Sequence, residues 1–200
     1  MGFVVDGRYV LAPVEVGDAN KYVDLQLRCL AETYPQLLHP DFAERQEAQR
    51  DSWLKEFATN IADPAARAFF AYETPGWTPS GGLSCVIGAQ IDWGAPVGFA
   101  LSGVGAHAWE EHTGVTPVSP DARQLTHLYT LARTHGTGLG AALFNAVIYP
   151  EDSDVYLWVI ANNERAKGFY TARGFISDGE VIATSGAWEG GQIHRMFRGA

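Results

Sequence analysis

The sequence predicts an α/β fold of the α+β kind: a sheet with helices packed on it. Two observations carry that expectation. Residues 66–104 read as successive strands separated by turns, and residues 124–198 read as strand, helix, strand, helix and a closing antiparallel strand pair. A chain of 200 residues suits one domain with a sizeable core. No repeat, low-complexity tract or linker marks a second domain. The expected unit is therefore 1–200, with loop elaborations near 74–83 and 105–122.

Tyr9–Val16 alternates and is rich in β-branched residues, so it reads as a first strand ending at Gly17-Asp18. Asp18 is placed to cap a helix running to about Thr33, with Val23, Leu27, Leu30 and Ala31 on one face. Pro35 and Pro40 bracket a loop. A mostly charged second helix then spans Phe42–Thr59, with Trp53, Leu54 and Phe57 as its inner face. Arg67–Glu73, Cys85–Asp92 and Val97–Val104 are candidate strands. Between the first two, residues 74–82 are dense in Pro and Gly and mark a loop or hairpin extension; Trp93–Pro96 is a turn. Gly105–Asp121 is irregular. The remainder is cleaner: strand Gln124–Thr130, helix Gly136 to about Tyr149, strand Asp154–Ile160, helix Asn163–Arg173, then strands Phe175–Thr184 and Gln192–Arg198.

Composition narrows the class of function. A hydrophobic content of 46% and an aromatic content of 12% exclude general disorder. No apolar run reaches the ~18 residues of a membrane span, and the start Met-Gly-Phe-Val-Val-Asp lacks the features of a secretory leader. Cys29 and Cys85 form neither a CxxC pair nor a disulfide framework, so a reducing, cytoplasmic setting is expected. A net charge of −9 repels nucleic acid and anionic membrane and attracts cations. No His/Cys/Asp/Glu set has metal-ligand spacing, so no metal is expected. No GxSxG or reactive-looking cysteine supports a covalent nucleophile.

The richest local feature is His135-Gly136-Thr137-Gly138-Leu139-Gly140, set between a strand and a helix whose apolar positions are Leu139, Leu143, Ala146 and Val147. Alternate glycines let successive backbone N–H groups point inward, and the free N–H groups of the first helical turn add a positive dipole end. Such a concavity suits a diphosphate even in an acidic protein; a tight strand-to-helix turn is the plainer alternative. Gly136-x-Gly138-x-x-Ala141 also fits the dinucleotide fingerprint. That reading fails on context. The expected acid about 20 positions on is missing, because the next strand ends in Val159-Ile160-Ala161-Asn162. Too little chain follows for a doubly wound sheet.

The segment from Leu128 to Leu143 resembles the acyl-CoA motif of the GNAT superfamily of CoA-dependent N-acetyltransferases, with His135 where the family usually carries Arg or Gln. A second segment, Asn163-Glu-Arg-Ala166-Lys-Gly-Phe169-Tyr170-Thr-Ala-Arg-Gly174-Phe175, is similar to the family's N-x-x-A-x-x-F-Y-x-x-x-G-F signature at every anchor. The resemblance implies a mixed, mostly antiparallel sheet of about seven strands flanked by about four helices, with splayed central strands that hold acyl-CoA. It implies that Leu128 and Thr130 pair through their backbone with the pantetheine arm. His135 to Ala141 (through Gly136, Thr137, Gly138, Leu139 and Gly140) would hold the pyrophosphate, and Asn163, Ala166 and Phe169 would complete the cofactor contacts. Asn163 is also placed to cap its helix, and Gly174 to stop it with positive φ. Tyr170 is implied as the acid that protonates the leaving thiolate.

Many family members carry Glu where this chain has Gln124, which cannot take a proton but can orient a water or the acceptor. His127 titrates in a useful range, yet strict strand alternation puts it opposite Gln124 and reads it as structural. Glu110, Glu111, His107 and His112 are alternative bases or cation-binding groups, with solvated loop charges the plainer reading. Tyr34, Trp53 and Trp109 are candidate walls of an acceptor pocket. Arg133, Arg165, Lys167 and Arg173 gather around the two motifs, where they would offset the acidic field. The expected activity is acetyl transfer from acetyl-CoA to a primary amine of a small molecule or peptide, in a ternary complex, with a homodimer possible by family habit. The alternative is a catalytically weak CoA-binding sensor or partner-binding module.

Overall fold

The computed structural model describes residues 3–5, 7–76 and 93–199. The expected strand Cys85–Asp92 and most of the 74–83 elaboration lie outside these residues.

Among the described residues, eight strands form one sheet: β1 (Phe3–Val5), β2 (Tyr9–Pro13), β3 (Arg67–Glu73), β4 (Gly98–Val104), β5 (Arg123–Thr130), β6 (Val155–Ile160), β7 (Ile176–Ala183) and β8 (Gln192–Arg198). Their order is β1-β2-β3-β4-β5-β6-β8-β7. Every neighbouring pair is antiparallel except β5–β6. The mixed, mostly antiparallel sheet that the resemblance implies is therefore present. The first strand is shorter than expected, ending at Pro13, where Val16–Asp18 turns into a 3-10 turn. β1 was not legible in the sequence.

The helices are α1 (Ala19–Thr33), α2 (Phe42–Glu47), α3 (Arg50–Ala62), α4 (Leu139–Val147) and α5 (Glu164–Thr171). α1 buries Val23, Leu27 and Leu30 as expected, but Ala31 is exposed and Tyr22, Leu25 and Cys29 complete the face. Asp18 makes no side-chain cap; its carboxylate instead accepts from the Glu15 N–H and pairs with Lys21. The helix expected over 42–59 is two helices. Their apolar faces have different partners: Phe42 of α2 packs on Tyr34 and Trp188, whereas Phe57 of α3 packs on Tyr22 in the main core. Fully buried Gln46 donates from Nε2 to the Ala187 carbonyl, holding α2 to the turn between β7 and β8. The break between α2 and α3 lets each face find its own core.

α4 buries Leu139, Leu143, Ala146 and Val147 against β3, β4 and β5, and this helical spacing was legible in the sequence. The parallel pair β5–β6 is short. Only Arg123↔Val155 and Gln124↔Tyr156 are registered, after which the strands separate. The joined end is clamped by Asp152, which pairs with Arg67 at 2.6 Å and Arg123 at 3.2 Å and accepts from the Tyr149 N–H. The open end faces the glycine turn and α5.

Candidate functional site

Two cavities meet at the open end of β5. The first, about 270 Å³, is lined by Leu128, Thr130, His135, Gly136, Gly140, Asn163, Ala166, Phe169 and Tyr170, among others. The glycine turn shapes one of its ends. Gly136 and Gly138 are left-handed at φ 77° and 86°, which only glycine adopts at little cost. A Cβ at either position would meet no atom within 4 Å, so the space beside the turn is open. No main-chain carbonyl or described side chain accepts from the N–H groups of Gly136, Gly138, Leu139, Gly140 and Ala141. Free donors around an open concavity fit a diphosphate.

Other expected contacts are made by backbone alone. Leu139 is fully buried, and Thr137 spends its hydroxyl on the Thr134 carbonyl and Tyr9, so only their main chains reach toward the turn. The expected helix start at Gly136 moves to Leu139, leaving residues 136–138 as the loop. His135 Nε2 lies 3.3 Å from the Thr130 carbonyl oxygen, so its ring covers part of the open strand edge. Asn163 caps α5 as expected, accepting from the Ala166 N–H at 3.1 Å, and Gly174 ends it at φ 83°.

Tyr170 is nearly buried and packs edge-on against Phe169 and Phe175, with its ring lining the first cavity. Burial first, then the neighbouring Tyr34, raises its pKa, so the hydroxyl stays protonated. Of the four cations gathered in sequence, Arg133 pairs with Glu73, Lys167 with Glu164, and Arg173 stacks on Phe169 at 3.5 Å. Arg165 lines the first cavity.

The second cavity, about 440 Å³, carries the residues expected at the acceptor side: Tyr34, Trp53, Trp109 and Gln124. It adds Glu56, His127, Trp158 and Trp188, which sequence reasoning missed. Tyr34, His127, Tyr129 and Trp158 line both cavities, so they stand where the two spaces join.

His127 reaches this junction because alternation breaks. Leu101 registers with His127 while Ser102 registers with Leu125, so Thr126 is an extra, bulged residue. Gln124 before the bulge and His127 and Tyr129 after it all line the second cavity, as do Leu125 and Thr126 at the bulge itself. The opposite-face placement expected for His127 is therefore corrected. Its Nδ1 hydrogen-bonds the Tyr22 hydroxyl, and its ring packs near Phe99 and Tyr129. Burial, with a smaller push from His107, lowers its pKa to about 3, so the imidazole is neutral at physiological pH.

Glu110 is also corrected. It is a buried carboxylate, not a solvated loop charge. Oε1 accepts from the His107 N–H, Gln124 Nε2 and the Tyr156 hydroxyl, each at 3.1 Å, and Oε2 accepts from Trp158 Nε1 at 3.0 Å. Exposed Trp109, next in sequence, lies 5.6 Å from the Trp158 ring. Gln124 turns its NH₂ toward Glu110. Gln124 Oε1, also buried, is left without a partner. Trp53 Nε1 likewise lacks one. Among the described residues, no group of three His/Cys/Asp/Glu could hold a metal, and no helix is long and apolar enough to cross a membrane.

Comparison with known proteins bears on the family and the fold. A 64-residue stretch is 33% identical to a protein described as a "Probable N-acetyltransferase" of Mycobacterium tuberculosis, covering 32% of this chain and 37% of that relative's length. The paia N-acetyltransferase of Thermoplasma acidophilum, solved with coenzyme A, superposes with a TM-score of 0.60 at 13% identity, over 96% of this chain and 99% of that one. The ribosomal-protein-S18-alanine N-acetyltransferase of Escherichia coli superposes at 0.55 and 16% identity, over 96% and 95%. At such identities the shared property is the fold. The match to the "Acetyltransferase (GNAT) family" runs over residues 27–175, taking in the glycine turn, the bulged β5 and the α5 segment. The chain belongs to the GNAT acetyltransferase family.

Proposed function

We propose that residues 1–200 act as one domain that transfers an acetyl group from acetyl-CoA to a primary amine, by direct attack in a ternary complex. The observation that carries this reading is the join between the cavities. One side offers free N–H donors and Tyr170, and the other is an acceptor-sized cleft.

Acetyl-CoA supplies an acetyl thioester. The N–H groups from Gly136 to Ala141 would hold its pyrophosphate, and the open edge of β5 at Leu128 and Thr130 would pair with its pantetheine arm. Asn163, Ala166 and Phe169 would close over that arm. The amine nitrogen forms the new C–N bond as the C–S bond breaks. Tyr170 gives its proton to the departing sulfur and regains one from solvent. The nitrogen's surplus proton leaves through the acceptor cleft, whose Gln124 orients the amine or a water. The products are the acetamide and free CoA thiol. This places the chemistry on Tyr170 and leaves His127 a neutral wall of the junction.

Calorimetric titration should show CoA and acetyl-CoA binding, and an amine panel should accelerate thiol release. Absence of CoA binding would falsify the reading. Binding without amine acceleration would favour a second one, a CoA-binding sensor, which the replacement of the family's usual acid by Gln124 motivates.

A further inference from the structure

The acceptor-side cleft has an unusual lining. Four of the chain's six tryptophans, Trp53, Trp109, Trp158 and Trp188, face it. Among the described lining residues there is no Lys or Arg, and one carboxylate, Glu56. Glu56 follows Trp53 by three residues on α3, so both occupy one helix face. Its side chain is exposed and has no ion-pair or hydrogen-bond partner among the described residues. Surrounding protein still desolvates it enough to raise its pKa.

Gln124 supplies the second, independent observation. It is 4% exposed, it lines the cleft, and its Oε1 is unpartnered because Glu110 fixes the amide the other way round. Buried acceptors are costly to leave empty. Glu56 and Gln124 line the same cleft. These two acceptors ask for a donor with positive charge. The four tryptophans, with Ile160, Ile182 and Ile193, ask for an apolar or aromatic body, beside the neutral polar side chains of Thr113, Thr184 and Ser185. A carboxylate on that body would find no cation.

Resting on the acetyl-transfer reading, we propose that the acceptor is a primary amine on an aromatic or otherwise apolar body without a carboxylate, its ammonium head received by Glu56 and Gln124. The head then loses one proton to solvent before its nitrogen attacks.

The test compares 2-phenylethylamine, phenylalanine and 1,4-diaminobutane as acceptors by thiol release, with tryptophan fluorescence as an activity-independent measure of binding. 2-Phenylethylamine should quench the cleft tryptophans saturably, phenylalanine should not at equal concentration, and kcat/KM should favour 2-phenylethylamine over both others. Glu56→Gln should raise its KM about tenfold, the loss expected for one charge-assisted contact, with kcat little changed. Glu56 has no partner to lose, so this variant should fold. A better rate with phenylalanine or the diamine, or an unchanged KM in Glu56→Gln, overturns the proposal while leaving acetyl transfer intact. Saturable quenching without any thiol release keeps the binding site and removes the reaction.

Discussion

The two cavities share β5 as a wall but are assembled in opposite ways. On the acetyl-CoA side the donors are main-chain N–H groups of one short continuous segment, positioned by two left-handed glycines. On the acceptor side the polar groups are side chains brought together from α3, the 105–113 loop, β5 and β6, and several are fixed by a single buried carboxylate, Glu110. The first site depends on backbone shape and the second on side-chain identity, so substitutions should separate them.

The sharpest separation should come from Gly138→Val. A β-branched residue is strained at φ 86°, and the turn must reshape to accept it. CoA affinity should fall by at least about a hundredfold in calorimetry, with the melting curve as a control for folding. Retained affinity would break the idea that the turn grips phosphate. Next is Glu110→Ala, which strands the His107 N–H, Gln124 and Trp158 donors together, while the Tyr156 hydroxyl keeps the Gly105 carbonyl. It should cost about 3 kcal/mol in urea unfolding, whereas CoA affinity of the folded fraction should hold. Glu110→Gln should cost less.

Tyr170→Phe should lower kcat by about 10- to 100-fold and leave CoA binding within about twofold; an unchanged kcat would remove Tyr170 from the chemistry. The smallest effect concerns His127. Burial keeps it neutral down to about pH 3, while the unfolded chain protonates it near its ordinary 6.5. Unfolding therefore takes up a proton below pH 6.5. This contribution to stability is full above that pH and declines toward pH 3, by up to about 1.4 kcal/mol per pH unit. His127→Gln should flatten the wild-type dependence of the urea midpoint between pH 6.5 and 4; equal slopes would show that His127 is protonated in the fold.

The contrast also explains what could be read from the sequence. The β5–turn–α4 unit, the Asn163 cap and the Gly174 stop are local, each written in adjacent residues; the cap and the stop stand as expected, and α4 starts three residues later than expected, at Leu139. The acceptor cleft is not local. Trp188 enters it only because the turn between β7 and β8 folds back beside Tyr34, and no spacing rule joins residues 34 and 188. Glu110 looked solvated because an irregular stretch gives no sign of burial; its side-chain donors come from β5 and β6, remote in sequence, and only the His107 N–H is local. His127 was misplaced by the bulge at Thr126, since alternation assumes an unbroken ladder. The i, i+3 pairing of Trp53 with Glu56 was the one local signal that could have exposed the cleft's charge.

One last consequence follows from the short pairing of β5 with β6. Beyond Gln124 these strands part, and the centre of the sheet carries an open edge of main-chain groups like that of an unfinished sheet. Such edges template self-association. On the proposed reading, the pantetheine arm serves as the missing strand, so the co-substrate doubles as a solubilising splint. At a hundredfold excess over Kd it would add about 2.7 kcal/mol to folding stability. Refolding yield, shelf life and resistance to aggregation should then track CoA concentration, which links the lifetime of the protein to the supply of its own acetyl donor.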